Sequence, residues 1–231
     1  MKLGIIGAMQ VEVETLVANL ADMQTADHAG SRFYTGKLND VDAVVVQCGI
    51  GKVNSAMCAQ IMCSVFGVTH LVNTGVAGSL CNELDIGDIL VSVDAMHHDF
   101  DCGPVGYPAG QIPGLDVLAF PADEKLSDLA FAAAEQVNPG HTKRGRVASG
   151  DQFIAGKEIK EKIIAITNAK CTEMEGAAIA QVAYRNAVPY AVLRAISDKA
   201  DDSAEMDYPT FERIAADRCA KVVMTLATML K

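Results

Sequence analysis

Residues 189–202 read PYAVLRAISDKADD. The first half is an almost unbroken apolar run, the pattern of a strand buried on both faces. Arg194 stands inside that run, and Ser197 and Asp198 follow at its mouth. Charge at the mouth of a buried strand costs desolvation energy unless a partner or a ligand uses it. The stretch therefore reads as a rigid core strand that presents polar groups.

The same pattern recurs on either side. KLGII reads as a strand ending at Gly7, followed by Val13, Leu16, Val17 and Leu20 at helical spacing. DAVVVQC is a buried strand broken by GIG, and Val53, Met57, Ile61 and Val65 then mark one stripe of a helix. HLVNTGVAG reads as strand then glycine turn, and GDILVSVDA as a strand. Residues 123–137 form a helix with Leu126, Leu129, Ala130 and Ala133 on one side, and RGRVASG is a short strand. Residues 157–168 place Ile159, Ile163 and Ile166 at helical spacing, and 175–185 is an alanine-rich helix with little room for bulky neighbours. Phe211, Ile214, Ala215, Arg218, Val222, Leu226 and Leu230 mark a long last helix, with Pro209 in its first turn. This alternation predicts an α/β domain with helices on both faces of a central sheet. Residues 99–121, with four prolines and four glycines, are the longest irregular stretch, and a loop of that length in a compact domain is usually functional. No linker divides the chain, so 1–231 reads as a single domain.

Composition bounds the function. Half of the 231 residues are hydrophobic, enough for one substantial core. A net charge of −10 and a pI near 4.9 argue against nucleic acid and anionic membrane as partners. Seven cysteines without a Cys-x-x-Cys spacing read as reduced thiols of a cytoplasmic protein. The start, MKLGIIGAMQ, reads as a first strand and not a signal peptide, and no run reaches the ~18 apolar residues of a membrane span.

Several motif matches fail on inspection. CGIGKVNS has Val46 where a phosphate-binding Walker loop needs Gly and Val53 where it needs Ser or Thr, and GIIGAM is not a dinucleotide fingerprint. HHDFD (His97, His98, Asp99, Asp101) lacks a second ligand cluster, so no metal is expected, and it reads as a hydrogen-bonded loop or a subunit contact. The positive signal is that strand ends run into glycine or acidic turns at GIIGAM, QCGIGK, NTGVAGS, ASGDQF and AISDKA. Ligands of open α/β sheets bind beyond the carboxyl ends of strands. Three acids fall at such places. Glu12 and Glu175 begin helices, where an anion also suits the helix dipole, and Asp198 ends the buried strand, where it also suits a cap or a salt bridge with Arg194.

Together these pieces resemble the 5′-methylthioadenosine/S-adenosylhomocysteine nucleosidase family of the nucleoside phosphorylase group. GIIGAMQVEVE, GIGKVNSA, NTGVAGSL, HHDFD, GQIPG, ASGDQFI, EMEGAAIAQVA and LRAISDKAD carry the likeness in order and spacing from end to end. The resemblance implies a three-layer sandwich with a central mixed, twisted sheet. It implies hydrolysis of the bond between adenine and ribose in methylthioadenosine, S-adenosylhomocysteine and 5′-deoxyadenosine, a reaction of methionine salvage that requires no cofactor. Asp198 matches the general acid to purine N7. Glu12 matches the base that activates water, with Arg194 helping to hold that water, and Glu175 the acceptor for the ribose hydroxyls. Phe153 matches the ring stacked on adenine and the Ile154 backbone the contacts to its edge. Met9, Ile50 and Met174 match the apolar lining, Ala77 and Gly78 the glycine-turn wall, and Ser197 stands beside the acid. Members pair as homodimers, with Tyr107 reaching the partner subunit's pocket. Two positions depart from the usual pattern: Val76 stands where many members have serine, and Val105 where an aromatic is common.

The chemistry accounts for the residue types. Adenine leaves poorly until N7 is protonated, and a carboxylic acid can donate there only if burial and hydrogen bonding to its neutral form raise its pKa. The sugar then gains oxocarbenium character that carboxylates stabilise, and water on the opposite face needs a base. Three alternatives remain. A phosphorylase of the same fold would need cations for phosphate, where this chain has Asn73 and Thr74 and an acidic Glu12 nearby. A nucleosidase for futalosine or aminodeoxyfutalosine would share the VAGS turn. A non-catalytic nucleoside binder would share only the fold.

Overall fold

The computed structural model describes residues 1–230; Lys231, the last residue of the expected domain, lies outside the described residues. The chain order is β1 (Lys2–Gly7), α1 (Gln10–Ala18), β2 (Ala21–His28), β3 (Ser31–Leu38), β4 (Val41–Gln47), α2 (Lys52–Ser64), β5 (His70–Ser79) and β6 (Ile89–His97). It continues with β7 (Phe120–Pro121), α3 (Glu124–Val137), β8 (Thr142–Ser149), α4 (Lys157–Thr167), β9 (Cys171–Glu173), α5 (Gly176–Asn186), β10 (Tyr190–Asp198) and α6 (Ala204–Met229). The ten strands form one mixed sheet, in the order β10-β6-β8-β9-β5-β1-β4-β3-β2 with β7 on β6. Strand β10 also pairs with β5, so β5, β10, β6, β8 and β9 close into a ring. The β1–β4, β1–β5 and β5–β10 pairs are parallel, and their carboxyl ends therefore open on one side.

The period of two explains the layers. In β10, Ala191, Leu193 and Ala195 enter one core with Leu16 of α1, Leu126 of α3 and Val222 of α6. Tyr190, Val192 and Ile196 enter the opposite core with Cys58 and Met62 of α2 and Ile179 and Ala183 of α5. Helices thus cover both faces of a mixed sheet, as expected. Arg194 belongs to the second set, and its side chain is 1% exposed.

Some local expectations fail for physical reasons. Helix α2 forms where its stripe predicted, yet Val53 and Val65 are 78% and 55% exposed. Its packed side is Ser55, Cys58, Ala59 and Met62. That side meets α5, whose buried residues are mostly Gly and Ala, and two backbones this close leave room for little else. The predicted glycine turn after HLVNT is strand, because β10 pairs with β5 as far as Gly78 and β9 pairs with Gly78 and Ser79. Helix α6 starts at Ala204, so Pro209 sits in its second turn; Ser203, bonded to Asp201 and Asp207, sets the earlier start. Ile214, expected on the packed side, is 57% exposed. Leu20 lies beyond the end of α1 but is buried. The β2–β3 hairpin is additional to the predicted elements.

Among the described residues no helix is long and apolar enough to cross a membrane.

Candidate active site

A cavity of about 370 Å³ opens at the carboxyl ends of β1, β5, β9 and β10, within the size range of small-molecule sites. It brings together Glu12, Glu175, Arg194 and Asp198 with Met9, Ile50, Ala77, Gly78, Phe153, Ile154, Met174 and Ser197. Of the expected site residues only Tyr107 is elsewhere, 40% exposed on the 99–121 loop.

Glu12 is the third residue of α1, so its carboxylate reaches back over the helix start. Oε2 accepts the N–H groups of Ala8 (2.7 Å) and Met9 (3.0 Å), and Oε1 accepts that of Val76 (3.0 Å). Burial lifts Glu12 above the ordinary carboxylate range, while Arg194 and these three donors pull it part of the way back. The helix-start placement and the cavity placement are thus the same geometry. Gly75, paired with Arg194 across the β5–β10 ladder, leaves the space beside which both groups sit. A Cβ there would lie 2.8 Å from Glu12 Cδ and closer still to Glu12 Oε1 and Arg194 Nη1.

Arg194 does not pair with Asp198, the partner that sequence proximity offered. Alternation sends its side chain into the β9–α5 junction, where it binds Glu173, Asn73, the Val76 carbonyl and, at 3.5 Å, Glu175. Burial opposes its charge, but Glu173, Glu175 and Glu12 outweigh that and hold it cationic. Glu175 stands at the N-cap position of α5 without capping it, and its Oε1 instead accepts the Gly51 N–H at 2.8 Å. Gly51 has φ of 99°, a conformation that favours glycine, and this turns its N–H toward Glu175. Burial, and then the charge of Glu173, lift Glu175 to about 7.

Asp198 ends β10 just past an irregularity in the ladder between Ile196 and Asp198, the kind of bulge that re-aims a side chain. Burial raises its pKa. The expected hydrogen bonds to a neutral form are not what the site provides. The Ala200 N–H donates to Oδ1 (2.8 Å) and the Ser197 hydroxyl to Oδ2 (2.9 Å), and both favour the anion. Desolvation, aided by the charges of Asp207 and Asp201, therefore raises this acid against those two bonds.

Sequence reasoning missed Glu173 and Tyr208, which also line the cavity, along with Ala8, Gln152 and Thr172; Val76, noted there as a departure from the family pattern, lines it too. Glu173 accepts from the Ser149 hydroxyl, the N–H groups of Glu175 and Gly176, and Arg194. The signal lay in EMEG: an acid ending a strand beside one at a helix N-cap position brings two carboxylates to one arginine. Tyr208 of α6 lies edge-on to Phe153 (5.5 Å, 78°) and donates to Glu212 at 2.8 Å, its oxygen 3.2 Å from Met9 Sδ. Phe153 itself is half exposed at the cavity mouth, free to meet a flat ligand. His97 bonds Gln181 and, like His98, lies outside the cavity; among the described residues no His, Cys, Asp or Glu cluster could hold a metal ion.

The model of the phosphorylase superfamily matches residues 2–228. A 5′-methylthioadenosine/S-adenosylhomocysteine nucleosidase of Glaesserella parasuis is 37% identical, over 98% of this chain and 98% of its own length. An aminodeoxyfutalosine nucleosidase of Campylobacter jejuni is 38% identical over 100% of both. The crystal structure of a 5′-methylthioadenosine/S-adenosylhomocysteine nucleosidase from Colwellia psychrerythraea, in complex with adenine, superposes with a TM-score of 0.96 at 36% identity, covering 100% of this chain and 96% of that one.

Proposed function

The chain belongs to the phosphorylase superfamily, in the family of 5′-methylthioadenosine/S-adenosylhomocysteine nucleosidases, and we propose that its cavity hydrolyses the N-glycosidic bond of these nucleosides. The observation that carries this reading is the convergence of Glu12, on the helix after the first strand, and Asp198, at the end of the last strand, on one cavity where burial raises both acids. The enzyme is an N-glycosyl hydrolase. Its products are adenine and the 5-thio-substituted ribose, and 5′-deoxyadenosine is a further substrate.

In this reading the purine stacks on Phe153, and Asp198 delivers a proton to N7. A buried acid holds that proton at a pH where an exposed aspartate has lost it. As the C–N bond lengthens, the sugar becomes cationic, and the surrounding carboxylates stabilise it electrostatically. Glu175 accepts the ribose hydroxyls and fixes the sugar. Glu12 takes the proton of the attacking water, with Arg194 beside it on the far side of Gly75. The proton placed on adenine and the proton taken from water balance, and no metal or cofactor enters any step.

Aminodeoxyfutalosine is the second reading, favoured by the 38% identity to the C. jejuni enzyme. Turnover of methylthioadenosine, S-adenosylhomocysteine, 5′-deoxyadenosine and aminodeoxyfutalosine by the purified protein ranks the two readings. Adenine release that depends strictly on phosphate would overturn both in favour of phosphorolysis.

The active unit is a homodimer. The outward side of α2 carries Val53 and Val65, and the 99–121 loop carries Val105 (72% exposed) and Tyr107, an apolar surface suited to a second copy. Tyr107 reaches the partner's cavity from that surface. A cytoplasmic setting and a step in methionine salvage fit the seven free thiols and the substrate class.

A further inference from the structure

Three motifs noted in the sequence have no part in the chemistry above: the lysine of GIGK, the first aspartate of HHDFD and the aspartate of GDQF. The fold joins them. Lys52 is the first residue of α2, and its N–H donates to Asp151 Oδ1 at 2.8 Å. The Asp151 N–H donates to Asp99 Oδ2 at 2.9 Å. The Lys52 ammonium returns to Asp99 Oδ1 at 2.5 Å, which closes a ring over three segments distant in sequence. Lys52 and Asp99 side chains are only 20% and 19% exposed. Burial would raise Asp99, but Lys52 and the Asp151 N–H outweigh it and keep the carboxylate charged. The segments are also packed hard together. A Cβ on Gly150 would lie 3.0 Å from Asp99 Cγ and closer to the His98 ring.

Both ends of this ring lead into the cavity. Asp151 is followed directly by Gln152, Phe153 and Ile154, which line it. Lys52 is preceded by Gly51, whose N–H holds Glu175. Elsewhere the Phe153 loop is held by the buried Ile154 and by the edge contact of Phe153 with Tyr208, while Asp151, Gln152 and Phe153 are all exposed. We propose that Asp99, Lys52 and Asp151 are positioning residues: a clasp that fixes the purine-stacking loop 151–154 at a set distance from the ribose-binding carboxylate of Glu175. The clasp touches no reacting atom. It acts by ordering the loop before substrate arrives, so that binding does not bear the cost of ordering it. Because it begins in the loop after β6, it also ties that ordering to the irregular 99–121 segment.

The clasp rests on the proposed roles of Phe153 and Glu175, and one of its two readouts does not need them. Amide hydrogen exchange of the unliganded protein is measured for wild type, Asp99→Ala, Asp151→Ala and Asp151→Asn, followed by adenine affinity. In Asp99→Ala and Asp151→Ala the amides of 150–154 exchange faster while those of the β1, β5 and β10 core do not. Asp151→Asn keeps an acceptor for Lys52 and restores protection. Adenine affinity falls on the order of tenfold in the two alanine variants, the scale of a lost base-stacking contact, with KM rising more than kcat falls. Unchanged exchange at 150–154, or an asparagine variant as loose as the alanine one, overturns the clasp. Loosened exchange with unchanged adenine affinity upholds the clasp and refutes the assignment of Phe153 as the purine platform.

Discussion

Gly75→Ala tests the joint placement of Glu12 and Arg194. Gly75 has no positive φ, so alanine strains no backbone there. The added methyl would sit 2.8 Å from Glu12 Cδ and nearer to Glu12 Oε1 and Arg194 Nη1. Ordinary contact needs ~3.4–4 Å, so the two groups must separate by roughly 1 Å. Each is the end of a side chain, but neither is free to swing. Glu12 is held by three backbone N–H groups and Arg194 by Glu173 and Asn73. Displacing Glu12 Oε1 strands the buried Val76 N–H, which costs about 1–3 kcal/mol, and overpacking costs a similar amount. A misplacement of about 1 Å at a catalytic group lowers rate about 10²-fold. The assay is adenine release at saturating methylthioadenosine, with urea denaturation alongside. The expected result is kcat down about 10²-fold and a modest loss of stability. A Gly75→Ala protein with wild-type kcat would refute a working role for Glu12 and Arg194 at these positions.

Asp198→Asn lowers kcat about 10²–10⁴-fold and leaves adenine binding intact; its residual activity lacks the alkaline fall that wild type shows as Asp198 loses its proton above the ordinary aspartate value. Wild-type kcat in this variant would remove Asp198 from the mechanism. Glu175 is raised from 4.5 to about 7 in the folded protein, so the native state binds the proton more tightly than the unfolded one. Its stabilising effect is therefore full below about pH 4.5 and is lost as pH rises toward 7. Chemical denaturation across that window should give a flatter stability curve for Glu175→Gln than for wild type, and parallel curves would count against the buried acid. Val53→Glu places a charge in the proposed dimer interface and weakens dimerisation about 10²-fold or more; light scattering that shows an unaltered dimer would move the interface elsewhere.

Residues 189–202 were legible because a strand buried on both faces leaves a continuous apolar trace. Strand β2 was not, since Ala21 to Thr25 are all exposed and no alternation marks a face. The stripe on α2 was only partly right: the helix packs through Ser55, Cys58, Ala59 and Met62, while Val53 and Val65 at the ends of the stripe face outward. Glu12, Glu175 and Asp198 could be found because each interrupts an apolar context at a strand end or helix start. Glu173 escaped notice beside Glu175, and Tyr208 escaped because Pro209 was read as the opening of the last helix. The partner of Arg194 could not be read at all. Sequence proximity favours Asp198, four residues on, whereas strand alternation and the β9–α5 junction bring Glu173 from twenty-one residues away.

The most direct test is a single turnover of methylthioadenosine in phosphate-free heavy-oxygen water, with both products weighed by mass spectrometry. A buried carboxyl that releases adenine while a second acid activates water predicts unlabelled adenine, a sugar carrying one heavy oxygen at the anomeric carbon, and no such products from Asp198→Asn at matched times. No adenine without phosphate, or an Asp198→Asn protein that turns over as fast as wild type, would contradict it.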